Sequence, residues 1–288
     1  MLQFWLVRIV IISFRRISFT VLSPLSRLLS FFLHYFVRYR LAVIHQNLSK
    51  CITDLTEAEV NSIVGGVYDN LSFVLLEAIK GLTLSEAELL SRIEFRHPEL
   101  IRDYLDKKKT VLAVCPHYTN WEWTVLATGY TYKNKSIGIY KEIGNRYLEE
   151  YIKSLRAKCT MTLISTRHTR TMESLIPEGH VILLMSDQNP SNTRDAIWVK
   201  FFGQDTACLH GLEKYANRYH LPVIYLDQQR LSDSRYVVNL EVLCENPNEL
   251  APGELTQLFM SRVERTIRRE PSNWLWTHKR WKHKKISD

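Results

Sequence analysis

His117 and Glu122 stand in the stretch Cys115-Pro116-His117-Tyr118-Thr119-Asn120-Trp121-Glu122-Trp123. Both are residue types that move protons. An imidazole takes a proton from a hydroxyl, and a carboxylate that accepts the other ring N–H fixes the tautomer. Their spacing defeats this on any regular element. On a strand, odd spacing sends the two side chains to opposite faces. On a helix, about 100° per residue leaves them roughly 140° apart. Only a turn lets them meet, and the sequence supplies one. Residues 110–115 read as a buried strand, Pro116 ends it, and Thr119 or Asn120 caps a helix starting near Trp121. His117 is then expected on the connecting loop as a general base, with Glu122 in the first helical turn as its orienting partner. Cys115 is close enough to be weighed as a nucleophile, but a small buried strand residue is the simpler reading.

The elements that must position this turn follow from periodicity. Thr56 and Glu59 form a capping box ahead of an apolar stripe from Val60 to Ile79, predicting a helix over 54–80 that Gly81 ends. A shorter helix is expected over 98–108. Strands are expected at 110–115, 136–140, 161–165, 181–186, 197–201, 222–227 and 236–243, and helices at 121–132, 145–158, 168–176, 206–219 and 254–270. This alternation predicts an α/β fold, a central mostly parallel or mixed sheet covered by helices.

Charge divides the chain unevenly. No acidic residue precedes Asp54, and residues 1–53 carry seven of the eight net positive charges. The same segment is the most apolar. Its arginines limit uncharged runs to roughly ten residues, short of the roughly 18 that a span requires. Apolar residues with interspersed arginines suit helices lying in a membrane interface, attracted to an anionic surface. No small-x-small cleavage site marks a signal peptide. Five scattered cysteines without CxxC argue against a disulfide framework and a zinc cluster and fit a reducing compartment. His168, His210 and His220 lack metal-ligand spacing, and no P-loop or GxGxxG occurs, so neither metal nor nucleotide cofactor is expected. The charge excess lies in apolar termini without a recognition module, which argues against a nucleic-acid partner. The terminal run from Trp274 to Lys285, basic residues between tryptophans, reads either as a solvated tail or as a phosphate- or headgroup-binding segment.

Several blocks together resemble the lipid A late acyltransferases, the lauroyl and myristoyl transferases of Gram-negative lipopolysaccharide synthesis. These lie within the lysophospholipid acyltransferase superfamily, whose hallmark is His, four residues, then Asp or Glu. His117-Tyr-Thr-Asn-Trp-Glu122 fits it, with Thr119 where that branch usually has glycine. Asn145-Arg-Tyr-Leu148 with Leu155-Arg156, Glu178-Gly179 through Asp187-Gln188, Phe201-Phe202-Gly203, Leu221-Pro222-Val223 and Trp276-Thr-His278-Lys-Arg280-Trp281-Lys282 follow in the family's order. Asn189-Pro190-Ser191 departs from the usual acidic continuation.

The resemblance implies a glycerolipid acyltransferase-like catalytic domain over 46–288 behind a membrane-anchoring segment over 1–45. It implies acyl transfer from an acyl thioester, on acyl carrier protein or coenzyme A, to a hydroxyl of a lipid A precursor. The catalytic domain is expected on the cytoplasmic side of a Gram-negative inner membrane. The loop at Tyr118, Thr119 and Asn120, through its backbone N–H groups, and Gln188 are candidates for the oxyanion. Arg156 is a candidate for a phosphate, and Asp187 is expected to hold Arg156 or the loop. Lys141, Arg146 and Lys200 are weaker phosphate-contact candidates. The alternatives are the same chemistry on another glycolipid or lysophospholipid, or a lipid-binding membrane protein without catalysis.

Overall fold

The computed structural model describes residues 2–285. In chain order the helices are α1 (Leu2–Arg16), α2 (Phe19–Phe31), α3 (Leu41–Cys51), α4 (Glu57–Gly81), α5 (Glu86–Leu90), α6 (Glu99–Asp106), α7 (Trp121–Thr131), α8 (Arg146–Arg156), α9 (Gly211–Tyr219) and α10 (Glu254–Arg269). The strands are β1 (Ile93–Arg96), β2 (Val111–Cys115), β3 (Ser136–Tyr140), β4 (Thr162–Ser165), β5 (Val181–Met185), β6 (Ile197–Phe201), β7 (Gln204–Cys208), β8 (Val223–Ser232) and β9 (Arg235–Cys244). Seven form one sheet in the order β1-β9-β8-β2-β5-β3-β4, and β6 and β7 form a separate hairpin. Strands β8, β2, β5, β3 and β4 are mutually parallel; β9 runs against β8 and carries β1 parallel to itself. The sheet is therefore mixed and mostly parallel, as the alternation of elements predicts.

The core lies on both sheet faces. Along β2, Leu112 and Val114 enter the cluster with α9 and α10, while Val111, Ala113 and Cys115 enter the one with α5, α6 and α7. All five are buried, which is why this strand reads as a continuous apolar run. The predicted capping box is present: the Glu59 backbone N–H donates to Thr56 Oγ1 while the Thr56 N–H donates to the Glu59 carboxylate.

Three expectations change. Residues 204–208 form β7 rather than opening a helix, because Phe202 and Gly203 adopt left-handed backbone (φ 50° and 71°) and turn the chain back on β6. The stretch 168–176 is not an α-helix but 3₁₀ turns over Thr169–Ser174 and Ile176–Glu178. The C-terminal run is no solvated tail: Trp274, Trp276 and Arg280 are buried. Asn47 of α3 donates to the Trp276 and His278 carbonyls, and the Arg280 guanidinium donates to the Ala207 carbonyl. The run is a clasp joining α3 to the β6–β7 hairpin.

The N-terminal helices pack across α4. α2 continues through a π-helical stretch to Val37, giving an unbroken helix of 19 residues, Phe19–Val37, long and apolar enough to cross a membrane by length and composition. Phe14 and Leu22 pack on Leu76 of α4, and Lys80 Nζ donates to the carbonyls of Phe14 and Arg15, closing the carboxyl end of α1. The outward faces expose Trp5, Leu6, Ile9, Leu28, Phe32 and Phe36.

Candidate active site

His117 is two residues past β2 and Asp187 two residues past β5. These strands are parallel neighbours paired Cys115↔Met185, so equal steps beyond that pair bring residues 70 apart in sequence side by side. The helix after β2, α7, covers one sheet face, and the helix before β8, α9, covers the other. Chains diverging to opposite faces mark the carboxyl ends of these strands as the place where open α/β sheets bind ligands.

The His117 Nδ1–H donates to Asp187 Oδ1 at 2.6 Å. Asp187 Oδ2 accepts the His117 backbone N–H at 3.0 Å and the Trp274 indole N–H at 2.9 Å. The Asp187 side chain is 1% exposed and that of His117 17%. Burial pushes the Asp187 carboxyl up, but the His117 charge and these three donors hold it at about 2. Burial pushes the imidazole towards neutrality, yet the Asp187 charge and hydrogen bond, with the Glu122 charge nearby, raise its pKa above the ordinary value. With Nδ1 as the donor, Nε2 carries the lone pair, makes no hydrogen bond among the described residues and is not sealed from solvent.

Asp187, not Glu122, is the carboxylate that holds the imidazole. Glu122 does not hold His117: its Oε2 accepts from Arg156 Nη2 at 2.7 Å. Asp187 does not hold Arg156; it holds the loop, the other partner expected of it, through the His117 backbone N–H, and it holds the His117 ring as well. The reason is geometric. A residue in the first turn of α7 points along the helix flank towards α8, whereas the β5 end lies directly beside the β2 end. Arg156 and Glu122 are both about a quarter exposed, so this pair lines the mouth of the site.

Asn120 is a structural residue. It caps α7 by accepting from Trp123 N, its side chain donates to the buried Glu77 carboxylate at 2.9 Å, and its carbonyl accepts from Gln228 Nε2 at 2.9 Å. None of these atoms faces an oxyanion. Of the three loop amides expected to serve one, two are taken, Tyr118 N–H by the Pro116 carbonyl and Thr119 N–H by the Asn273 carbonyl, while the Asn120 N–H makes no hydrogen bond among the described residues and stays available. Gln188 sits beside Asp187, half buried, with no side-chain hydrogen bond among the described residues. Lys141 lies exposed just past β3 on the same sheet edge, and Arg146 is exposed at the start of α8. Lys200 is elsewhere, on β6, paired with Asp205 at 3.0 Å. Cys115 is fully buried, and burial with the Asp187 charge drives its thiol far up, which removes it as a nucleophile.

Trp274 and Glu77 are the members that sequence reasoning missed. Trp274 belongs to a run of tryptophans whose indole N–H needs a partner once buried, a signal for a polar site beneath it. Glu77 is a carboxylate within the apolar stripe of α4, and a charge placed there needs donors, here Asn120 and Tyr236.

The fold and site together define an α/β protein with a buried histidine–aspartate pair at the carboxyl edge of a mostly parallel sheet. Its family is equally plain. The model of the bacterial lipid A biosynthesis acyltransferases matches residues 1–283, and the chain belongs to that family. It is similar to the lipid A biosynthesis lauroyltransferase of Escherichia coli K12, at 22% identity over 251 residues that cover 86% of this chain and 80% of that one. The protein is an acyltransferase, as the resemblance implied.

Proposed function

We propose that this protein moves a fatty acyl group from a thioester on acyl carrier protein to a hydroxyl of a lipid A precursor, at the cytoplasmic face of the inner membrane. The reading rests chiefly on His117, whose Nδ1 is fixed by a buried carboxylate while Nε2 stays open at the strand ends. As the acceptor oxygen attacks the thioester carbonyl carbon, Nε2 takes its proton and the new C–O bond forms. Collapse of the tetrahedral intermediate breaks the C–S bond, and the imidazolium returns the proton to the leaving thiolate. Asp187 stabilises the imidazolium between these steps, so no protein nucleophile and no cofactor are needed; the thioester is a co-substrate.

Gln188, with a side-chain amide not otherwise engaged, and the free Asn120 backbone N–H are the candidate oxyanion donors. Arg156, steadied by Glu122, offers its remaining N–H groups to a phosphate. The similarity to the lipid A biosynthesis lauroyltransferase of Escherichia coli supports lipid A as the acceptor. Residues 1–45 act as the anchor, supported by the exposed apolar faces of α1 and α2 and by arginines for an anionic surface.

The test is a purified-protein assay with acyl carrier protein thioester and lipid A precursor, followed by mass spectrometry of the product. Wild-type protein is expected to add one acyl group. His117→Ala, folded by circular dichroism, is expected to lose about 10²–10⁴-fold in kcat. Retained turnover in that variant removes His117 from the role.

A further inference from the structure

A second surface on the same sheet edge has no part in the chemistry above. Where β4 ends at Ser165, the chain enters the 3₁₀ turn Thr169–Ser174, which lies beside α9. Between them is a groove of about 360 Å³ lined by Arg167, His168, Arg170, Lys214 and Arg218, with tyrosines at its base and no acidic side chain on its walls. Two carboxylates outside it offset part of the charge. Glu142 lies 3.6 Å from Arg167 and 3.8 Å from His168, and Glu173 lies 2.7 Å from Arg218. Arg170 and Lys214 have no ion-pair partner among the described residues, and both are exposed. Four permanent cations converging on one concavity, two of them unpaired, make a local field that attracts an acidic partner and speeds its encounter.

Position says what that partner delivers. The groove begins past the carboxyl end of β4, on the edge where His117 follows β2, and runs along α9 towards the amino edge, where Tyr219 also borders Thr110; Arg170 and Lys214 line it. The order β2-β5-β3-β4 separates the two by three strand spacings, about 14 Å in the sheet plane. A protein seated there can present a thioester on a flexible arm to His117 without its body entering the site. The surface is unlike a membrane-binding one. Among the described residues, no large apolar side chain between positions 148 and 230 is exposed, whereas α1, α2 and its π-helical extension expose many. Cations without exposed apolar neighbours fit a soluble acidic protein better than a bilayer.

We propose that the groove between the 169–174 turn and α9 docks the acidic protein that carries the acyl thioester. This rests on the acyl-transfer reading above. The test is the double variant Arg170→Glu/Lys214→Glu in the full chain, with two donors: the carrier-protein thioester, and an acyl-pantetheine thioester that has the same reacting carbon but no protein and no phosphate. The expected result is a KM for the carrier donor raised tenfold or more with kcat unchanged, an unchanged KM for acyl-pantetheine, and a wild-type KM for the carrier that rises with salt more steeply than the variant's. An unchanged carrier KM overturns the proposal, and so does equal loss with both donors. Lost sedimentation with phosphatidylglycerol vesicles at unchanged carrier KM overturns it too, making the groove a membrane contact. Wild-type transfer from acyl-pantetheine but not from the carrier sinks this inference alone. Transfer from neither sinks the acyl-transfer reading with it.

Discussion

At the carboxyl edge of the sheet, Asp187 is 1% exposed and both its oxygens have donors, Oδ1 one and Oδ2 two. On the N-terminal helices, Phe36 is 68% exposed and Leu28 65%, with nothing in the molecule to cover them. One region buries polar groups and satisfies them; the other exposes apolar groups and leaves them unsatisfied. Both are unfavourable unless something compensates. For a buried carboxylate the compensation is internal, a fixed set of N–H groups. For an exposed apolar face it is external, and the anchoring role proposed above assigns it to a bilayer surface. The strand-end region is thus preorganised, while the helical layer is completed by its surroundings.

The sharpest way to break this contrast is to remove one charge from the preorganised side. Asp187→Asn keeps the shape but removes the negative charge and disturbs the tautomer of His117. A loss of roughly 10–100-fold in kcat is expected, by analogy with removing a carboxylate that orients a functional histidine. The pH profile is the more specific readout. In the proposed mechanism neutral imidazole is the base, and its pKa in the folded protein lies above the ordinary value, so the acid limb of kcat/KM in the wild type is expected above about pH 6.5. Without the Asp187 charge, that limb moves to lower pH. Glu122→Gln keeps a hydrogen-bond acceptor for Arg156 and is expected to cost less in kcat and to shift the limb in the same direction but less. A larger shift in Glu122→Gln than in Asp187→Asn would reverse the roles assigned here.

The other side of the contrast is tested on the outward face alone. Deleting residues 1–40 would strip Phe14 and Leu22 from Leu76 and leave Lys80 without its carbonyl acceptors, so a loss of membrane binding would be ambiguous. Leu28→Asp/Phe36→Asp changes only exposed positions. At about 1.5–3 kcal/mol for each apolar side chain buried, partition to anionic vesicles is expected to fall about 100-fold or more, with the fold intact by circular dichroism. Unchanged sedimentation with vesicles would remove this face from membrane contact.

The sequence carries the local half of the site and little of the distant half. The buried strand before Pro116, the helix from Trp121 and the turn between them are written in contiguous residues, so the position of His117 is legible. Its partner is not. Asp187 reaches His117 through the pairing Cys115↔Met185, a register between strands far apart in the chain, and no single-sequence pattern encodes it. Sequence proximity favoured Glu122, but sheet register brings Asp187. The fold follows the same rule. The capping box at Thr56 and the apolar run of β2 are local and visible. β1 is a four-residue strand too short to show a period. The buried clasp from Trp274 to Arg280 looks basic and solvated until α3 and the β6–β7 hairpin close over it.

Thr119 offers the finest adjustment to the preorganised region. It takes the place usual for glycine in the family it resembles, and its backbone is left-handed, with φ 48°. A β-branched residue there carries Cβ strain of about 1–2 kcal/mol. Thr119 is also 0% exposed, and its hydroxyl is buried without a partner among the described residues. The backbone requirement comes from the turn itself: the Thr119 N–H donates to the Asn273 carbonyl at 2.8 Å, tying the His117 loop to the C-terminal clasp. Glycine meets that requirement without Cβ and removes the orphan hydroxyl. Against this stands the greater freedom of an unfolded glycine, about 0.5–1 kcal/mol. The balance favours glycine by about 1 kcal/mol. Thr119→Gly is therefore expected to raise the urea midpoint at unchanged slope and to leave the acid limb of the pH profile in place. Destabilisation instead would mean that the hydroxyl contributes a contact worth more than the strain it brings, and that this turn is held together partly through its side chain.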